Sequence, residues 1–130
     1  MTVEEKIYAL WSADATATAL VPAARIKPFS ANLQNVTIPY IIHGLISEPA
    51  RFRTHGEGIT NALRMQRWQF TVCALSTSSA QAILAKLIFV LDGNRGGFNF
   101  HHQGDLFLDS DQDQAYVTYA SEFLVTTPPA

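Results

Sequence analysis

A single cysteine, Cys73, leaves this 130-residue chain with no partner for an internal disulfide and no second thiol for a metal centre. Nothing therefore points to an oxidising compartment, and the cytoplasm is the expected one. Charge is scarce as well, at 15% of residues where about a quarter is usual. A chain so short of charge is suited to hiding surface in a partner. Its formal net charge of −2 has the wrong sign for gripping a nucleic-acid backbone, so any basic patch is local. No apolar run approaches the roughly 18–20 residues that cross a bilayer, and the first residues lack the apolar stretch of a secretory signal. The expectation is a soluble chain without a membrane partner.

Catalytic and ligand-binding motifs are missing in the same way. Asp109-Ser110-Asp111-Gln112-Asp113 begins like a calcium loop, but Gln114 and Ala120 stand where that loop needs glycine and a bidentate glutamate. An acidic turn between strands is the reading that remains. His101 and His102 are adjacent, so on a strand they point to opposite faces and cannot share one metal; His43 and His55 have no spacing relation to them. There is no G-x-S-x-G elbow, and Cys73 lies inside a strand pattern as a buried or interface-facing thiol. No catalytic residue, metal or cofactor is expected.

What is present is a hydrophobic fraction of 48% and a length that buries roughly two thirds of the unfolded surface, enough for one core in one domain spanning residues 1–130. Thr2-Val3-Glu4-Glu5 reads as a capping box, followed by Val3, Ile7, Leu10 and Trp11 at helical spacing. Asp14 can cap a second short helix or turn over residues 15–20, stopped by Pro22. Residues 25–28 form a short extended piece at an edge. Pro39 introduces the β-branched run of residues 40–46, where a first strand residue can go without a donor. Trp68, Phe70 and Val72 alternate with Arg67, Gln69 and Thr71, the period of a strand with one buried face over residues 63–75. Ser76 to Ser79 offer helix caps, and Ile83, Leu84, Leu87, Ile88 and Leu91 predict a central helix over residues 79–92, ended by Gly93. Residues 94–97 turn the chain back into residues 98–108, read as two extended pieces broken near Gly104. A last strand covers residues 115–126. The order predicts an α+β fold: a small, mostly antiparallel sheet with the N-terminal and central helices on one face.

The segment of residues 48–61 joins two strands, so its Gly56-Glu57-Gly58 is neither a P-loop nor a dinucleotide fingerprint. Two readings stay open for it: a solvated loop, or an arm that orders against a partner. The second makes Arg51, Phe52, Arg53, His55, Glu57 and Arg64 a candidate assembly interface.

Ala9-Leu10-Trp11-Ser12-Ala13-Asp14-Ala15, the Arg25-Ile26 step, Ile38-Pro39-Tyr40-Ile41-Ile42, Arg67-Trp68-Gln69-Phe70-Thr71-Val72, Leu91-Asp92-Gly93 and Glu122-Phe123 follow one another at a characteristic spacing. In that order they resemble the tail-completion proteins (tail terminator, or tail-to-head joining) of long-tailed bacteriophages and gene-transfer particles. The resemblance covers most of the chain; residues 48–61 and 109–113 match nothing in it. It implies a non-enzymatic virion protein of the tail and neck, assembled in the host cytoplasm. Six copies would form a ring that caps the head-proximal end of the tail tube, stops tube growth and meets the neck. The implied partners are further copies, the major tail tube protein and a neck or head-completion protein, with DNA passing through the lumen without specific binding. Another neck or tail ring protein is the nearest alternative. A nucleic-acid-binding module would rest on Arg51, Arg53, Arg64 and Arg67, against the overall charge.

Overall fold

Thr2 caps the first helix, α1 (Val3–Ser12), in the computed structural model, which describes residues 2–29, 37–48, 64–111 and 116–127, with the backbone alone of Arg64 and residues 109–111. The capping box is complete: the Glu5 amide donates to Thr2 Oγ1 at 3.1 Å and the Thr2 amide to Glu5 Oε1 at 3.2 Å. Asp14 caps α2 (Ala15–Leu20) by accepting from the Thr16 and Ala17 amides, and the Thr16 hydroxyl first, then the Ala17 amide, aided by Lys86 at 3.1 Å, hold its carboxyl down to about 2. A 3₁₀ turn (Ala23–Arg25) then feeds β1 (Ile26–Pro28). The remaining elements are β2 (Tyr40–Ser47), β3 (Arg64–Ala74), α3 (Thr77–Leu91), β4 (Gly93–Arg95), β5 (Phe98–Asp111) and β6 (Tyr116–Thr127).

The six strands form one sheet in the order β1-β2-β3-β6-β5-β4. Only β1 and β2 run parallel; every other neighbouring pair is antiparallel. Because β6 is antiparallel to both β3 and β5, those two run the same way, and α3 is the crossover of a β-α-β unit into which β6 is inserted. The α+β class predicted above is the class observed.

The period-two pattern of β3 puts Trp68, Phe70, Val72 and Ala74 on one face, and these join Phe123 and Val125 of β6 under the helices. From above, α1 contributes Val3, Ile7 and Trp11, and α3 contributes Ile83, Leu84, Leu87 and Leu91. Phe70 and Phe123 meet edge to face with centroids 5.4 Å apart, and burying side chains of this kind contributes roughly 1.5–3 kcal/mol each. Trp11 Nε1 donates to the Val21 carbonyl at 2.9 Å, so this core tryptophan satisfies its polar atom and ties α1 to the segment after α2.

Three expectations are corrected. The extended pieces on either side of Gly104 are one strand, β5, whose register shifts between His102 and Gly104 and between Phe107 and Asp109; the irregularities are bulges, not a break. The acidic stretch is not all turn, since Asp109 and Asp111 pair with Thr118 and Tyr116 as strand residues. The turn after α3 contains a further short strand, β4, which pairs with residues 98–100 of β5 across Gly96 and Gly97 at positive φ.

Candidate assembly interface

Arg51, Phe52, Arg53, His55 and Glu57 lie outside the described residues, as does Gly56-Glu57-Gly58. Arg64 opens β3, where its backbone pairs with Thr127. The structure brings a different set of side chains together at the surface: the exposed apolar residues of the two sheet edges.

At one edge, β4 covers β5 only as far as Phe100, so among the described strands β5 is the outer one from residue 101 onward. Leu106, Phe107 and Leu108 follow one another there with 63, 51 and 44% of their surface exposed. Three consecutive exposed apolar residues place apolar surface on both sides of the strand, which a core on one face does not call for. Phe107 packs edge to face on Tyr119, with centroids 5.3 Å apart, so it is held in place and not adrift. At the opposite edge, β1 covers β2 only over Ile41 to His43, and Leu45 and Ile46 of β2 stand about half exposed beyond it. Phe29, directly after β1, is 75% exposed; its amide donates to the His43 carbonyl at 2.8 Å and its side chain lies over Gly44, where an added Cβ would come within 3.1 Å. Glycine at position 44 thus lets Phe29 lie flat on β2.

On the sheet face turned away from the helices, a hollow of about 300 Å³ is lined by Gln69, Ala120 and Glu122 with Gly104, Leu106 and Leu108 of β5. It adjoins the β5 edge. Gln103 and Asp105 complete the lining, so amides, two carboxylates and aliphatic groups offer contacts for another protein surface, without a nucleophile–base pair among the described residues.

The histidines separate as their positions demand. His101 lies opposite Leu124 and is exposed, whereas His102 lies opposite Phe123, meets its ring at a tilt with centroids 5.2 Å apart and places Nε2 2.9 Å from Asp105 Oδ1. His43 is buried on the helix side of β2, and burial lowers its pKa. Among the described residues no group of three or more His, Cys, Asp or Glu is placed to hold a metal ion. Cys73 is buried on the face away from the helices, opposite Tyr40, whose phenol is pushed up to about 12 by burial first and by the thiol next. Among the described residues no helix is long and apolar enough to cross a membrane.

Among the described residues these features define an α+β protein with one sheet, its helices on one face, two part-covered edges and no catalytic constellation. No family model matches the sequence, and a comparison with curated proteins finds no match. Among solved structures, the chain is similar to one described as the virion of a native gene transfer agent (GTA) particle. The TM-score is 0.64 at 17% sequence identity, over 97% of this chain and 94% of that one. The likeness is one of fold, running almost end to end in both chains.

Proposed function

We propose that this chain is a structural virion protein, and specifically that it forms a ring, of six copies, that caps the head-proximal end of a tail tube, ends tube polymerisation and joins the tail to the neck. The observation that carries the reading is the end-to-end fold likeness to a chain of a gene transfer agent virion, in a sequence whose ordered features resemble tail-completion proteins. Part-covered edges with exposed apolar residues support it, since a subunit with two different patches can build a closed ring. The partners are further copies of the chain, the tail tube protein and a neck or head-completion protein. On this reading Arg51, Phe52, Arg53, His55, Glu57 and Arg64 contact a neighbouring subunit or the tube surface, and DNA crosses the lumen without being gripped. No catalysis is assigned.

The test is mass by light scattering after gel filtration at high concentration, with negative-stain images and with purified tail tubes added. A hexameric ring, or a monomer that assembles on tube ends and blocks their growth, is the expected result. A stable discrete dimer that leaves tube growth unchanged would overturn it.

A further inference from the structure

α3 is more apolar than a helix packed on one side of a sheet has to be. Lys86 is the only charged residue among its fifteen, and Gln81, Ala82, Ala85 and Phe89, exposed on its outer side, are uncharged. Phe89 keeps 69% of its surface exposed. Lys86 Nζ, bound to Asp14 at 3.1 Å, lies 4.5 Å from the centre of the Phe89 ring and steadies it from one side. Beside it, Arg95 Nη2 donates to the Phe89 and Asp92 carbonyls at 3.0 and 2.9 Å, and Nε donates to the Leu91 carbonyl at 3.4 Å. Those bonds fix the guanidinium at the end of α3. They leave Nη1 with its two donors, and Arg95 meets no carboxylate among the described residues.

The opposite face of the sheet holds the counterpart. Thr71, Ala120 and Leu106 form one row of the register, and Gln69, Glu122 and Gly104 form the next but one. Both rows face away from the helices, because Phe70, in the row between them, belongs to the core. Leu106, Ala120, Gln69, Glu122 and Gly104, with Leu108, line the hollow of about 300 Å³ described above. A dry cavity of about 150 Å³ can hold benzene, so this hollow has room for a phenylalanine ring. Glu122 is in no ion pair with a described cation, Arg67 on the same face included.

We propose that Phe89 of one copy of this chain enters the hollow on the open sheet face of a second copy, with Arg95 of the first meeting Glu122 of the second. The proposal rests on the ring reading above and names its subunit contact. Both contacts are made at one place, since Arg95 is bonded to the Phe89 carbonyl and Glu122 is part of the hollow. Leu106, Leu108 and Ala120 pack on the ring, whose electropositive edge suits the carboxylate beside it. A guanidinium with two unused donors and an unpaired carboxylate form a charge-assisted pair. Ala82 and Ala85 let α3 come close to the second sheet, and no exposed charge on the outer side of α3 holds the two apart. In the assembly the sheet then has helices on both faces. The two patches lie on opposite faces of the molecule, so each copy offers them to different neighbours. A contact of this kind, repeated by a rotation that closes, makes a ring.

The test uses the full chain, with each variant checked for native circular dichroism. Phe89→Asp and Glu122→Arg should each weaken self-association at least tenfold, read by light scattering in solution or by occupancy of tube ends. Arg95→Glu together with Glu122→Arg in one chain should recover what Glu122→Arg loses, because every contact again joins opposite charges. If Arg95→Glu, which gives up the bonds to the end of α3, costs the fold, Phe89→Cys with Leu106→Cys in a Cys73→Ala background replaces it. Those two positions lie on opposite faces of the sheet, so a short bismaleimide joins them only between copies. It should give a ladder of covalent oligomers when both cysteines are present and none with either alone. Parent rings together with full assembly of folded Phe89→Asp and Glu122→Arg, or with no ladder from the cysteine pair, overturn this contact and leave the ring reading standing. A parent chain that neither self-associates nor assembles on tubes overturns both.

Discussion

His43 stands in the helix-facing row of β2 beside Trp68, with ring centroids 6.1 Å apart, and only 7% of it is exposed. Its Nδ1 finds no hydrogen-bond partner among the described residues, so the ring is held neutral by its surroundings. Burial lowers its pKa from the usual 6.5, and the carboxylate of Glu4 on α1 opposes this only weakly. Below pH 6.5 the unfolded chain therefore takes up a proton here that the folded chain refuses. Stability from this residue is complete above that pH and is lost as pH falls through the lower, folded value. The loss is about 1.4 kcal/mol for each tenfold difference in proton affinity between the two states. Urea unfolding at pH 7 and pH 5 should show the parent losing more stability than His43→Phe; equal losses would remove His43 as the source. Single residues were unevenly legible. The alternation through Trp68, Phe70 and Val72 announced its own burial, but a lone histidine carries no such sign, and its place beside Trp68 comes from the pairing of β2 with β3.

Among the elements, helices were read from local chemistry. Ser76 Oγ accepts from the Ser79 amide at 3.1 Å and starts α3 at Thr77, two residues before the predicted start, within the latitude with which helix ends are defined. Ser76→Ala should destabilise the chain by about 1 kcal/mol, read as a lower urea midpoint at an unchanged slope, and Ser76→Gly by only a few tenths. Equal midpoints for parent and Ser76→Ala would show the cap to be unimportant. The long strand β5 was read less well, for a physical reason. Each bulge adds a residue to one side of the ladder and resets the alternation of faces, so Gly104 looks like a break and Leu106-Phe107-Leu108 has no period. The short strands β1 and β4 depend still more on context. Each has three residues, too few for a pattern, and exists because a longer neighbour offers it a ladder.

Across the whole molecule, the candidate interface divides between what was read in the loop and what the edges display. The arginines of residues 48–61 were singled out by composition alone, and their role is decided only in an assembly. Arg51→Ala with Arg53→Ala should leave the unfolding free energy within about 0.5 kcal/mol of the parent and lower the yield of tailed particles. Full yield would take that loop out of the interface. The sequence by itself determined the α+β class, the N-terminal and central helices with their caps and the alternating strand of the core, because capping and hydrophobic period act within a few residues. Only the tertiary structure decided that β6 enters between β3 and β5. That insertion puts β5, beyond β4, at one edge of the described sheet and β1 at the other. Strand order is set by long-range pairing and by closure of one core, and neither is encoded in any local run of residues.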